Sequence, residues 1–337
     1  MEVRKTLPGQ DAPLFNEVPR YLYPADSLRL REGEEINADT LVARYTIGDV
    51  SGDTSNPVAR AALYQGAGMQ WEGKQVWMIG NYECSRDQQV ADRLFERVCA
   101  DAKAGGATYL VGPMNGSTWD NYRFSVSHEF PNFLLEPYHH LYYVDQFRQA
   151  GFTEVSRYVS NIDTELACDW PELLEKERAF EKDGVRIRPL DVHRLAEELD
   201  WLYPFVDATF RDHNFYLPIS RERFQAKYLA AAPLINRDYV LVAEDAAGEP
   251  VGFIFSYDDR YSRRGQSLVI KTLARSKDRR YAGLGHVLAN RVIRLARARG
   301  YRSVVHAFIV EQGDATRVSG NFAGRPYKKY VLFGKEL

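Results

Sequence analysis

The sequence predicts a mixed α/β (α+β) protein in which one domain type occurs twice in tandem. Three observations lead there. β-strand and amphipathic-helix signals alternate along the whole chain. Both halves show the same order: strands, a strand leading into a long helix, glycine, a strand, a short helix, glycine and a last strand. Residues 267–300 add a strand, a glycine-bearing turn and a helix in direct succession, a unit suited to hold an anion.

In the first half, residues 1–38 are turn-rich and charged, with one apolar cluster at Phe15–Tyr23. Thr40–Ile47, Pro57–Tyr64 and Gln75–Asn81 read as strands, separated by polar breaks that suit hairpins. Asp87 is placed to cap a helix running to Ala104, with Val90, Leu94, Val98 and Ala102 on one face. Gly105-Gly106 stop it before a short buried strand, Tyr109–Gly112. The aromatic, proline- and histidine-rich run Phe130–Tyr143 follows, then a helix at Asp145–Ala150 and a strand at Glu154–Ile162. Trp170–Gly184 is polar and helical in character. The expected division is therefore one domain over residues 1–165, a connector over 166–184 and a second domain over 185–337.

The second series begins with a strand at Val185–Leu190 and helices at Val192–Leu202 and Arg221–Ala232, the latter stopped by Pro233. Tyr239–Glu244 and Val251–Tyr257 form a hairpin about the turn Ala247–Pro250. Leu268–Leu273 is a β-branched, apolar strand. The turn Arg280-Tyr281-Ala282-Gly283-Leu284-Gly285 leads into a helix whose stripe is Leu284, Leu288, Val292, Leu295 and Ala296, with Arg291, Arg294 and Arg297 opposite. Gly300 ends it where a left-handed residue is easiest. Tyr301–Ala307 is a strand, Glu311–Gly324 is loosely patterned, and Tyr327–Phe333 is the closing strand. At the matching place in each half, Ala150-Gly151 precedes Arg157-Tyr158-Val159, and Ala323-Gly324 precedes Lys329-Tyr330-Val331.

Composition narrows the function. The 337 residues exceed one ordinary core, and 45% hydrophobic with 27% charged residues is globular usage. A net charge of −2 predicts no dominant attraction to nucleic acid or an anionic membrane. Between Arg260 and Arg302, however, thirteen Lys/Arg meet a single acid, Asp278, which reads either as a solvated helix face or as a cationic rim for a phosphate-bearing cofactor. Cys84, Cys99 and Cys168 make no metal spacing and cannot all pair, so a reducing compartment is expected. The N-terminus lacks the apolar segment of a signal peptide, and no run has the length of a membrane helix. The expectation is a cytoplasmic protein without metal.

Arg-x-x-Gly-x-Gly, directly between strand and helix, resembles the acyl-coenzyme A (CoA) signature of the GNAT N-acetyltransferases. It lacks the third glycine and the acidic residue of a dinucleotide fingerprint and the Gly-Lys-Ser/Thr of a phosphate-binding P-loop. Residues 185–337 resemble one GNAT domain throughout, which implies a mostly antiparallel sheet flanked by helices. The resemblance further implies that Leu273 and Arg275 on a splayed strand pair with the pantetheine arm of acetyl-CoA. Amides of Tyr281, Ala282, Gly283, Leu284, Gly285 and His286 would hold the pyrophosphate, with Arg280 at the motif's first position. Tyr82-Glu83-Cys84, Gly112–Asn115, Pro137-Tyr138, Tyr142-Tyr143 and Gly151-Phe152 make the first half similar to bacterial tandem-GNAT proteins. Its equivalent turn, Cys84–Gln89, has no glycine and carries Asp87, so this half is expected to have lost CoA.

The usual GNAT general-acid tyrosine falls near Gly320 and its preceding asparagine near Gly313, neither with a donor side chain. Glu311, Asp314 and His306 remain as candidates for moving the acceptor's proton, and Lys271 lies on the cofactor strand itself. Tyr138 and Tyr142 are candidate acceptor contacts, and either Pro137–Tyr143 or Trp119–Phe124 is expected to reach toward the thioester end of the groove. The function implied is acyl transfer, with acetyl-CoA as donor, to a small-molecule or peptide amine. A non-catalytic acyl-CoA sensor and an aminoacyl-tRNA-dependent transferase are the alternatives.

Overall fold

The computed structural model describes residues 2–49, 56–262, 266–311 and 314–337. The first half runs β1 (Val3–Thr6), α1 (Pro13–Leu22), α2 (Leu28–Glu32), β2 (Leu41–Asp49), β3 (Asn56–Trp71), β4 (Lys74–Cys84), α3 (Gln88–Ala104), β5 (Tyr109–Gly112), β6 (Phe124–Ser125), α4 (Tyr142–Gln149) and β7 (Thr153–Asp163). Helix α5 (Pro171–Lys182) leads to β8 (Arg186–Pro189), α6 (Leu195–Phe210), α7 (Arg221–Ala230), β9 (Val240–Glu244) and β10 (Pro250–Asp258). Then come β11 (Ser267–Arg275), α8 (Leu284–Ala298), β12 (Ser303–Val310), α9 (Asp314–Asn321) and β13 (Arg325–Glu336).

The two long helices start and stop as their sequences dictate. Asp87 accepts the Gln89 N–H at 2.9 Å and so caps α3. Gly283 starts α8 at φ +95°, and Gly300 follows its end at φ +79°. Where the structure exceeds the sequence reading, context is the reason. The N-terminal segment expected to be turns contains β1 and α1: β1 pairs with β2, and Phe15 and Val18 of α1 are fully buried against the sheet. β3 continues past Tyr64 through an irregular register between Gln65 and Gln70, which period-two patterning does not show.

All strands join one mixed, mostly antiparallel sheet, in the order β1-β2-β3-β4-β5-β13-β7-β12-β11-β10-β9-β8, with β6 beside β13. The last strands of the two halves are exchanged. β13 lies between β5 and β7, while β7 pairs with β12. The sheet is therefore pseudo-symmetric about the β7–β13 pair, and Tyr158 faces Tyr330 across it, the two tyrosines of the repeated triplet.

The exchange ties the cores together. Val331 and Phe333 of β13 sit in the core under α3 and α4, Phe133 and Leu134 sit in the core under α6 and α7, and Phe215 and Leu217 sit in the core beneath α1. At the seam, Lys328 Nζ meets Glu136 Oε2 at 2.7 Å, with both side chains almost completely inaccessible, and Tyr330 Oη donates to Glu136 Oε1 at 2.9 Å. Burial pushes the Glu136 carboxyl up and the Lys328 ammonium down, and each ion's attraction for the other opposes that. Removing one ion of such a pair strands the other. Lys328→Met is therefore expected to lose about 3–5 kcal/mol in a denaturant titration, and adding Glu136→Gln is expected to recover part of it. An unchanged midpoint for the single variant would show that the pair does not hold the seam.

Candidate functional site

The site begins at a bulge. β10 pairs Phe255 with Thr272 and Ser256 with Ile270, which leaves Lys271 as the extra residue of β11. The parallel pairing of β11 with β12 ends there too, at Ile270↔His306. Beyond it, β12 turns through Phe308 at φ +57°, and among the described residues Leu273, Ala274 and Arg275 keep only β10 as a strand partner. The strands thus part, and β11 offers an unpaired edge from Lys271 to Arg275, the backbone template that another extended chain needs.

The edge runs into the glycine turn. Tyr281 N–H donates to Asp278 O, Ala282 N–H to Arg279 O and His286 N–H to Gly283 O. The amides of Gly283, Leu284 and Gly285 donate to no protein acceptor among the described residues. They are adjacent at the start of α8, where the helix dipole adds positive potential. Leu284 and Tyr281 send their side chains into the core, so only their backbone faces the turn. A Cβ on Gly285 would lie 3.7 Å from Leu273 Cδ2, whereas one on Gly283 would lie 2.5 Å from Lys176 Nζ. Lys176, contributed by α5, thus covers the turn, and sequence gave no sign of it. His286 is held below its usual range by burial and then by Lys176 and Arg275, which records the positive field there. Arg275 donates to Ser276 O at 2.6 Å, and the Arg280 guanidinium is bonded to Asp278 at 2.7 Å rather than turned to the amides.

Four arginines of the basic run have a use that neither reading anticipated, while Arg263 and Arg264 lie outside the described residues. Arg291 pairs with Glu177 and Glu181, Arg294 and Arg297 with Asp169, and Arg299 with Asp238, so the arginine face of α8 largely docks the connector.

His306 is buried on the last paired rung. Its Nδ1 is 2.8 Å from Ser319 Oγ, its Nε2 is enclosed without a partner among the described residues, and burial pushes its pKa down to about 4. It is a neutral imidazole of low basicity at neutral pH. Glu311 is exposed just past β12, where its N–H bonds Arg157 O. Asp314 begins α9, and its side chain lies outside the described residues. The structure does not bring Tyr138 and Tyr142 to the groove. They line a cavity of about 510 Å³ in the first half with Arg86, His128 and His140. Trp119–Phe124 is the first-half segment that reaches across. Trp119 Nε1 donates to Leu217 O at 3.1 Å, and the Arg123 guanidinium lies 4.7 Å from the Phe308 ring.

In the first half the equivalent features are closed by the chain itself. The loop after β5 fills the gap beside β4: Met114 N–H bonds Ile79 O at 2.8 Å, and Asn115 Oδ1 accepts the Asn81 N–H at 2.7 Å. Tyr142 Oη donates to Cys84 O at 2.8 Å and Gln146 Nε2 to Ser85 O at 2.7 Å, which covers the turn before α3. Asp87 occupies that helix start with its own carboxylate.

Lys271, partly buried at the bulge, is pushed down to about 8 by burial and by Lys227 and Arg123, with Asp120 opposing. Its folded value lies below the unfolded one near 10.4, so the unfolded chain binds more protons between these values. The penalty is complete below about pH 8 and fades as pH rises toward about 10.4. Lys271→Met is therefore expected to raise Tm by a few degrees at neutral pH, with the gain shrinking through that window. A pH-independent gain would contradict the strained ammonium.

Residues 197–317 match the model of the acetyltransferase (GNAT) family. No curated protein matches the chain in sequence. Among solved structures, the GCN5-related N-acetyltransferase from Sphaerobacter thermophilus superposes with TM-score 0.55 at 14% identity, covering 99% of this chain and 95% of that one. A tandem GNAT protein from the clavulanic acid biosynthesis pathway gives 0.53 at 11%, covering 99% and 98%. A GCN5-related glucosamine N-acetyltransferase region of a fungal β-N-acetylglucosaminidase gives 0.58 at 12%, and this chain spans 38% of that protein. At these identities the structures speak for the fold, while the family model identifies the half that carries the open edge and the free amides. Residues 197–317 thus match the GNAT family, and the chain as a whole shares the fold of tandem GNAT proteins.

Proposed function

We propose that the protein is an acyl-CoA-dependent N-acyltransferase that uses acetyl-CoA as donor and binds one CoA per chain, in the second half. The observation that carries this is the continuity of the unpaired β11 edge with the three free amides of Gly283, Leu284 and Gly285. An extended pantetheine arm needs the first and a pyrophosphate the second. Lys176 adds a cation at the phosphate end. The acceptor nitrogen attacks the thioester carbonyl, the C–S bond breaks as the C–N bond forms, the nitrogen loses a proton and the thiolate takes one up. The residues of the groove contribute mainly position and oriented backbone dipoles.

An acyl-CoA-binding protein without turnover is the second reading, favoured by the low basicity of His306. Acceptor-dependent release of free CoA thiol from acetyl-CoA, across a panel of amines, separates the two.

Gly285 allows a clean test of the cofactor site because its Cβ position is uncrowded. Gly285→Asp is expected to abolish CoA binding in calorimetry with little change in Tm, since a carboxylate would face the phosphates. Gly285→Ala should retain binding, and the parent chain should titrate with one equivalent of CoA. Unchanged affinity for Gly285→Asp, or two equivalents bound, would overturn the assignment.

A further inference from the structure

Four cationic side chains are buried among the described residues: Arg29, Arg60, Arg123 and Lys328. Three have carboxylate partners. Arg29 meets Glu83 at 2.6 Å and Glu34 at 2.5 Å, Arg60 meets Glu34 at 2.5 Å, and Lys328 meets Glu136. Arg123 has none. It is 8% exposed, its Nε donates to Tyr122 O at 3.2 Å, and its Nη1 is enclosed with no hydrogen-bond partner. Its guanidinium sits among the rings of Tyr122, Tyr158 and Phe308, at 3.7, 4.3 and 4.7 Å. Rings favour a cation but do not neutralise it, and an arginine does not give up its proton when buried.

A second unmatched cation, on the bulge of β11, lies within its electrostatic reach. The Lys271 ammonium has no hydrogen bond or ion pair among the described residues, and Arg123 and Lys227 repel it strongly enough to weaken its hold on the proton. The one acid that opposes them, Asp120, is occupied: it pairs with Arg223 at 2.9 Å and Lys227 at 3.1 Å and accepts from Asn37 and Ser117. This cluster faces the point where β11 and β12 part, because Lys271 is the bulge residue and Phe308 is the turning residue of β12. It lies at the opposite end of the open edge from the glycine turn, away from the phosphates.

Two cations that repel each other in a partly desolvated place without a counter-ion are costly, and a ligand that brings the negative charge relieves that cost. Resting on the acyl-transfer reading above, we propose that the acceptor is an amine that also carries a carboxylate, and that Arg123 and Lys271 hold this carboxylate while its amine faces the thioester. A planar carboxylate suits the guanidinium, and the Tyr122, Tyr158 and Phe308 rings keep water from the pair.

Calorimetry of the full chain, with amino acids and their carboxamides as paired probes, glycine and glycinamide first, tests this directly. The titrations are run with and without saturating CoA, so that loss of CoA binding, which would remove the acyl-transfer reading, is seen separately. At least one acid is expected to bind about tenfold or more tightly than its amide. Lys271→Gln should abolish that preference and Lys271→Arg should keep it, with the CoA affinity of each variant titrated separately. The arginine variant matters because it preserves charge but not the capacity to take up a proton. Equal binding of every acid and amide, a preference that survives Lys271→Gln, or tighter binding of O-phosphoethanolamine than of any carboxylate would overturn the proposal.

Discussion

The structure depends on the exchange of its two last strands. A β-strand in the middle of a sheet must satisfy its backbone on both sides, and here β5 finds β13 while β12 finds β7. Each half thus completes its sheet only with the other's final strand. The consequence is a fixed seam, with Tyr158 facing Tyr330 and the Lys328–Glu136 pair beside them. First-half residues Trp119, Asp120 and Arg123 can stand at the second half's groove only because that seam holds them there.

On this shared frame the halves have become chemically opposite. The same positions that are open in the second half are closed in the first by hydrogen bonds of the chain itself, from the Asn81 amide to Asn115 Oδ1 and from Tyr142 and Gln146 to the turn carbonyls. A buried amide with a good internal acceptor gains nothing from a ligand, whereas three free amides at a helix start gain a great deal. The same contrast holds for charge. Arg29 and Arg60 are matched by Glu83 and Glu34 within the first half, but Arg123, projecting to the seam, is not matched.

Much of this was legible in the sequence because it is local. The glycine turn, the capped helices and the repeated order of strands each depend on neighbours within a few residues, and the glycine-free Cys84–Gln89 turn signalled the closed half. The seam was not legible, since an alternating strand does not say which strand it will lie beside. Lys176 and Arg123 were missed for the same reason: nothing near them in sequence records that they meet Gly283 and Phe308. Tyr138 and Tyr142 were placed in the groove on their aromatic character alone, and the structure uses that character to line a first-half cavity and cover a turn.

Amide hydrogen exchange on the full chain, with and without CoA, bears most directly on the central claim that one half is open and the other closed. The account predicts protection by CoA along residues 271–275 and 283–286, with no change along residues 81–89. Protection of residues 81–89, or none at residues 283–286, would contradict it.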